Sequence, residues 1–161
     1  MIKDIEDLIR EVTAIFKENM DCYVIAMDKE KNDNMLEESY SLADNAYYEW
    51  YFEEYPEYSP SFVLGVAPNA RIITEPNMPE VAITYTLQLS IVIADNGLRH
   101  AEKAKSRYNR IIRDILFDKV FPKFGEVCFT YEDVQPGIFP APNDVVYESS
   151  TTTFTATIGG A

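Results

Sequence analysis

Residues 83–94, I-T-Y-T-L-Q-L-S-I-V-I-A, alternate apolar and small polar side chains with almost no break. In a strand, successive side chains leave opposite faces of the sheet. Ile83, Tyr85, Leu87, Leu89, Ile91 and Ile93 therefore make one apolar face, which must meet a core. Thr84, Thr86, Gln88, Ser90, Val92 and Ala94 make the other, small and mostly polar, which suits water or a polar contact. Asp95-Asn96-Gly97 ends the strand with turn chemistry. From about Leu98 the period changes. Ala101, Ala104, Tyr108, Ile111, Ile112, Ile115, Leu116 and Val120 form a helical stripe, and Pro122 is expected to stop it. Arg99, Lys103, Arg107, Arg110 and Arg113 lie off the stripe and are expected on the solvent side.

The segments around this strand–helix unit supply the other layers. Ile2, Ile5, Leu8, Ile9, Val12, Ile15 and Phe16 recur at helix spacing, which predicts an amphipathic helix over 2–19. Cys22-Tyr-Val-Ile-Ala-Met27 reads as a short central strand, apolar on both faces. Asp28–Asn34 is a polar turn. Its alternating acidic and amide side chains resemble a calcium loop only superficially. Asp33 stands where such a loop needs glycine, and Ser39 where it needs a bidentate glutamate. Ser61–Val66 reads as a strand. Ala67–Glu80, with Pro68, Pro76 and Pro79, is an extended connection that can hold an edge strand at Arg71–Thr74. Glu126–Glu132 and Tyr147–Ile158 alternate as strands, the second rich in threonine. Val134–Asp144, with three prolines, reads as a stiff loop exposing Ile138 and Phe139.

Leu36–Tyr58 stands apart. It interleaves Tyr40, Tyr47, Tyr48, Trp50, Tyr51, Phe52, Tyr55 and Tyr58 with carboxylates that include Glu53 and Glu54, and no Lys or Arg occurs between Lys31 and Arg71. A helix over 38–54, ending before Pro56, fits the spacing. Its aromatics either pack on the body or form a subunit contact, because Tyr and Trp are enriched in interface cores. Stacking platforms for single-stranded nucleic acid need basic neighbours, and these neighbours are acidic.

These elements imply an α+β fold. It has a mixed, mainly antiparallel sheet of four to five strands with two long amphipathic helices on one face. A length of 161 residues suits a single domain, here 1–161, with an acidic aromatic insert at about 36–60. The formal charge of −13 disfavours sequence-specific binding to a phosphate backbone. Seven of the 14 basic residues lie between Arg99 and Lys119, which leaves the rest of the chain strongly acidic. Cys22 and Cys128 belong to no CxxC pair and read as buried free thiols of a reducing compartment; their pairing is the alternative, disfavoured by the lack of a secretory signal. The first residues form a charged amphipathic pattern rather than a signal peptide. No run is apolar for the roughly 18 residues that suggest a membrane helix. Both points lead to the expectation of a soluble protein, cytoplasmic when made.

Recognisable catalytic chemistry is missing. His100 is the only histidine and begins a basic helix. No serine or cysteine has an evident local base partner. The phosphate-loop, dinucleotide and zinc-protease motifs are absent. Glu53 and Glu54, adjacent on a helix, would point about 100° apart and could not share a site. No catalytic residue, cofactor or metal site is expected.

The order of elements carries a resemblance. I-T-Y-T-L-Q-L-S-I-V-I-A-D, then A-E-K-A-K-S-R-Y-N-R-I-I-R-D-I-L, V-C-F-T-Y-E and T-T-T-F-T-A-T-I, preceded by an amphipathic helix, resemble the tail-terminator and head–tail joining (neck) proteins of tailed bacteriophages. Such proteins are non-enzymatic virion components without a cofactor. They have a mixed sheet with helices on one face and assemble as rings, commonly of six, at the joint between capsid and tail. The resemblance implies a ring of six or twelve copies in the virion, assembled in the host cytoplasm. Its neighbours would be tail-tube or portal and adaptor proteins, and DNA would pass through the lumen without specific binding. No membrane is involved. The acidic aromatic segment is longer than the connection usual in that family, and no functional residue is carried over.

A ring needs two different, complementary surfaces on each subunit. The candidates are the basic helix face (Arg99, Lys103, Arg107, Arg110, Arg113) and the acidic aromatic segment (Tyr47, Trp50, Tyr51, Glu53, Glu54), with Ile138 and Phe139 as apolar additions. The competing reading is an acidic monomeric decoy that inhibits a nucleic-acid-binding enzyme. A strongly positive helix argues against such a mimic.

Overall fold

The computed structural model describes residues 2–39, 47–50, 60–66, 71–74, 81–94, 98–123, 127–140 and 146–158. The first helix, α1, spans Ile5–Glu30. Two acids start it: the Asp4 carboxylate accepts the Asp7 N–H at 3.0 Å, and the Asp7 carboxylate accepts the Lys3 N–H at 3.1 Å. Its buried stripe begins at Leu8 and continues through Met20, Val24 and Met27 to Asp28. The strand expected at 22–27 is therefore two further turns of α1. Cys22–Met27 is apolar at most positions, so periodicity cannot separate strand from helix. No Gly or Pro interrupts the chain before Pro56, and Val24 and Met27 extend the stripe already running. Cys22 is in consequence an exposed free thiol, not a buried strand residue. The helix closes where Asn32 adopts φ 56, and the Asp33 N–H turns back to the Asp28 carbonyl at 3.1 Å.

A short helix, α2 (Met35–Ser39), follows. The helix expected over 38–54 is corrected at 47–49. Tyr47–Glu49 is a strand, β1, parallel to β2 (Ser61–Val66). Aromatic residues fit a pleated, half-buried surface well. Tyr47 stacks on its register partner Phe62, with ring centroids 5.1 Å apart. Residues 40–46 and 51–59 of the acidic aromatic segment lie outside the described residues.

β3 (Arg71–Thr74), β4 (Val81–Ala94), β5 (Val127–Pro140) and β6 (Val146–Ile158) complete one mixed, mainly antiparallel sheet. Its order is β1-β2-β4-β6-β5, with β3 beside the beginning of β4, so the described residues hold six strands where four to five were expected. β2 and β3 lie along the same side of β4, paired with 87–92 and 81–84 respectively. The loop expected from Val134 is strand as far as Pro140, so Ile138 and Phe139 sit opposite Glu148 and Tyr147 in the sheet. Proline is compatible with an edge strand, where a missing N–H costs no ladder bond. A bulge between Tyr131 and Asp133 marks the change in character.

α3 (Leu98–Ile115) leads into a π-helical turn, Leu116–Val120, and a last turn, α4, over Phe121–Lys123. Pro122 thus lies within the final helical turn rather than beyond it. Proline is tolerated in the first turn of a helical segment, and the wide π turn before it lets a new segment begin.

Helices α1 and α3 pack on one face of the sheet. Leu87, Leu89, Ile91 and Ile93 of β4, Phe154 and Ala156 of β6, and Phe62 and Leu64 of β2 meet the stripes of both helices in a single core. Phe62 joins the layers, with Tyr108 of α3 edge-on at 5.9 Å. Each of the Leu, Ile and Phe side chains contributes about 1.5–3 kcal/mol on full burial.

Candidate functional site

The crossing of α1 and α3 is held by a charged node. The Arg107 guanidinium donates from Nη1 to Asp33 Oδ1 and from Nη2 to Asp33 Oδ2, each at 2.7 Å, and from Nη1 to Asp28 Oδ1 at 3.2 Å. Arg107 is 5% exposed and Asp28 is 1% exposed. Asp28 also accepts the N–H of Leu36 at 3.2 Å and of Glu37 at 3.0 Å, two of the donors that the first turn of α2 leaves unpaired. Asp33 accepts the Met35 N–H at 3.2 Å. The hydrogen bonds from Arg107, and then that from Met35, hold the Asp33 carboxyl far below the usual carboxylate range. One cation thus joins the end of α1, the start of α2 and the middle of α3.

The placement expected for Arg107 is corrected: it is not on the solvent face. On a helical wheel it lies beside Ala104, Tyr108 and Ile111, within the apolar stripe. Desolvating an arginine there is tolerable because two carboxylates pair with it, and the N–H groups of α2 complete the partners of one of them, Asp28. Arg110 is half-exposed and grips Glu30 with two nitrogens, Nη2 to Oε1 at 2.9 Å. The Arg110 hydrogen bond lowers the Glu30 pKa. Arg113 is exposed, with a loose contact to Asp114 at 3.9 Å, and Lys103 is exposed. The side chain of Arg99, in the first turn of α3, lies outside the described residues.

Lys31, Arg107, Arg110 and Arg113 line a cleft of about 300 Å³ between the end of α1 and α3. Their charges are nearly balanced by Asp28, Asp33, Glu30 and Asp114. The cleft is therefore no strong sink for anions.

The aromatic candidates divide. Tyr47 is half-buried on Phe62 and belongs to the fold. Trp50 follows β1 with φ 74, is 40% exposed, and donates its backbone N–H to the Leu64 carbonyl at 2.7 Å. Tyr51, Glu53 and Glu54 lie outside the described residues, as do the side chains of Ile138 and Phe139. The sequence placed nothing at Phe117, which is 49% exposed at the π turn and edge-on to Phe121 at 5.0 Å.

The sheet face away from the helices is a hydroxyl surface. Thr84, Thr86, Gln88 and Ser90 of β4 lie opposite Thr157, Thr155, Thr153 and Thr151 of β6, and all are partly exposed. Thr84 and Thr157 share a hydrogen bond of 2.7 Å, and Ser90 and Thr151 one of 2.8 Å. At one end the face is closed, since Ser61 and Val92 are buried. Among the described residues, no three potential metal ligands converge and no helix is long and apolar enough to cross a membrane.

No known family model matches this chain, and no curated protein matches its sequence.

Proposed function

We propose that the chain is a non-enzymatic structural subunit of a tailed-phage particle, assembling into a ring at the head–tail junction or the top of the tail. The observation that carries this reading is the one-sided layering. Helices α1 and α3 cover one face of the sheet, while β4 and β6 present a ladder of threonine, serine and glutamine on the other. Arg71 of β3, in register with Thr84, is the cationic residue of that row. The β4 and β6 positions of this ladder are uncharged, which allows close approach by a neighbour or by passing DNA. The acidic excess of the whole chain acts in the same direction.

Arg107 is occupied inside the subunit; of the basic-face candidates whose side chains are described, Lys103 and Arg113 remain exposed for electrostatic contact with a neighbour. Such charges would set register more than strength. Light scattering after size exclusion, with electron microscopy of the same fraction, tests the proposal. A closed ring with a central channel is the expected result. A monomer forming a 1:1 complex with a nuclease or repressor would instead establish the decoy reading.

A further inference from the structure

The sheet has two ends that differ in how their edges are protected. Ile72 of β3, Ile83 of β4, Ile158 of β6 and Val127 of β5 stand in one row. Arg71, Thr84, Thr157 and Cys128 stand in the next. At this end the sheet is a band of four antiparallel strands, edged by β3 on one side and by Val127–Tyr131 on the other. At the opposite end β1 covers β2, and β5 carries a bulge after Tyr131, then Pro136, Gly137 and Pro140. Bulges, prolines and short strands are the devices that stop edges from pairing. Among the described strands, the bulge and the prolines occur at that end only; β3, at the other end, is short but carries neither. Among the described residues, no strand pairs with the outer edge of β3 or of 127–131.

The two bare edges also match in direction. β3 and β6 both run antiparallel to β4, and β5 runs antiparallel to β6. β5 therefore runs opposite to β3. A copy placed beside the first in the same orientation would bring its β3 against the first copy's β5 as an antiparallel pair. We infer that the open edges Val127–Tyr131 and Arg71–Thr74 join in this way between successive copies of the chain, continuing the sheet from subunit to subunit. The contact is head-to-tail, each copy offering one edge and accepting the other, and it closes or grows according to the rotation between copies. Strand addition draws its affinity from main-chain hydrogen bonds, which suits two edges with few charged side chains. The inference rests on the ring reading for its biological setting, but its geometry is tested separately.

Cys128 is a built-in probe. Within one chain, positions 71 and 128 are three strand spacings apart, about 14 Å, beyond the roughly 7 Å that a disulfide can bridge. Across the inferred junction they are neighbours on the same face. In a Cys22→Ser background, Arg71→Cys, or Ile73→Cys for a two-residue offset, should give an oxidant-dependent ladder of covalent oligomers. Peptide mapping should place the new bond at Cys128, and Cys128→Ser should abolish the ladder. Oligomers seen by light scattering without this bond in either variant would overturn the edge contact and leave the ring standing. Bonds at Cys128 in open fibres rather than rings would support the edge contact and count against the ring. A chain that stays monomeric at high concentration and gives no ladder would overturn both.

Discussion

Arg107 of α3 and Asp33, just past the end of α1, form a two-point salt bridge in which Nη1 and Nη2 of the guanidinium each lie 2.7 Å from a carboxylate oxygen. Asp28, buried beside them, depends on the same guanidinium and on two N–H groups of α2. Truncating Arg107 leaves a buried carboxylate without its cation. Arg107→Ala should destabilise the fold by about 3–5 kcal/mol, and Arg107→Glu should fail to give a folded monomer. Urea denaturation followed by circular dichroism measures the first. An unchanged midpoint in Arg107→Ala would show that the node is dispensable.

Acid should loosen the same node. The Asp33 pKa is depressed in the folded chain, so its contribution is present above the unfolded carboxylate range, near pH 4, and is lost as pH falls towards the folded value. Stability should hold from neutral pH to about pH 5 and decline below about pH 4. Asp33→Asn should be less stable at pH 7 and show a shallower acid decline. Equal slopes for the two proteins between pH 5 and pH 2 would contradict this.

Gly65 on β2 faces the turn after β1. A Cβ there would lie 2.6 Å from the Trp50 carbonyl oxygen, which is backbone and cannot swing aside. Gly65→Ala should therefore push β1 away or cost about 1–3 kcal/mol, the usual range for overpacking. Trp50 is the only tryptophan, so its fluorescence reports the displacement directly. A spectrum and melting temperature like those of the unmodified chain would show that the Cβ is accommodated.

The hydroxyl face should tolerate substitution in the monomer but not in the assembly. Thr155 is partly exposed opposite Thr86, away from the core. Thr155→Lys should change stability by no more than about 0.5 kcal/mol. If this face meets a neighbour, the same substitution should lower the oligomer mass measured by light scattering. Rings intact in Thr155→Lys would remove the face from the contact.

The alternation of β4 and β6 and the apolar stripe of α3 were legible because each follows a single period for many residues. Leu87, Leu89, Ile91 and Ile93 are core residues, as their spacing implied. Cys22–Met27 was misread because a segment apolar at nearly every position carries no period, and length becomes the only arbiter. β5 beyond Val134 was misread for another reason. Proline marks a loop far more often than an edge strand, and the sequence does not say which strand lies at the edge.

Arginine is ordinarily a surface residue, so hydropathy alone hides the charged node. The signal was nonetheless available. Arg107 shares a helix face with Ala104 and Ile111, and Asp28 continues the stripe of Met20, Val24 and Met27. Two residues of opposite charge, each inside the apolar stripe of its own helix, imply a pair wherever those helices cross. What the spacing could not supply was Asp33, whose position depends on the left-handed turn at Asn32.

The two sides of this molecule should respond differently to the medium. On the helix side, Arg110 and Glu30 are partly exposed and held by charge, and added electrolyte weakens such contacts. From Thr84 to Ser90 and from Thr151 to Thr157 the other side has nothing to screen. A partner seated there would keep its hold from dilute buffer to concentrated brine, whereas one steered by Lys103 and Arg113 would come loose.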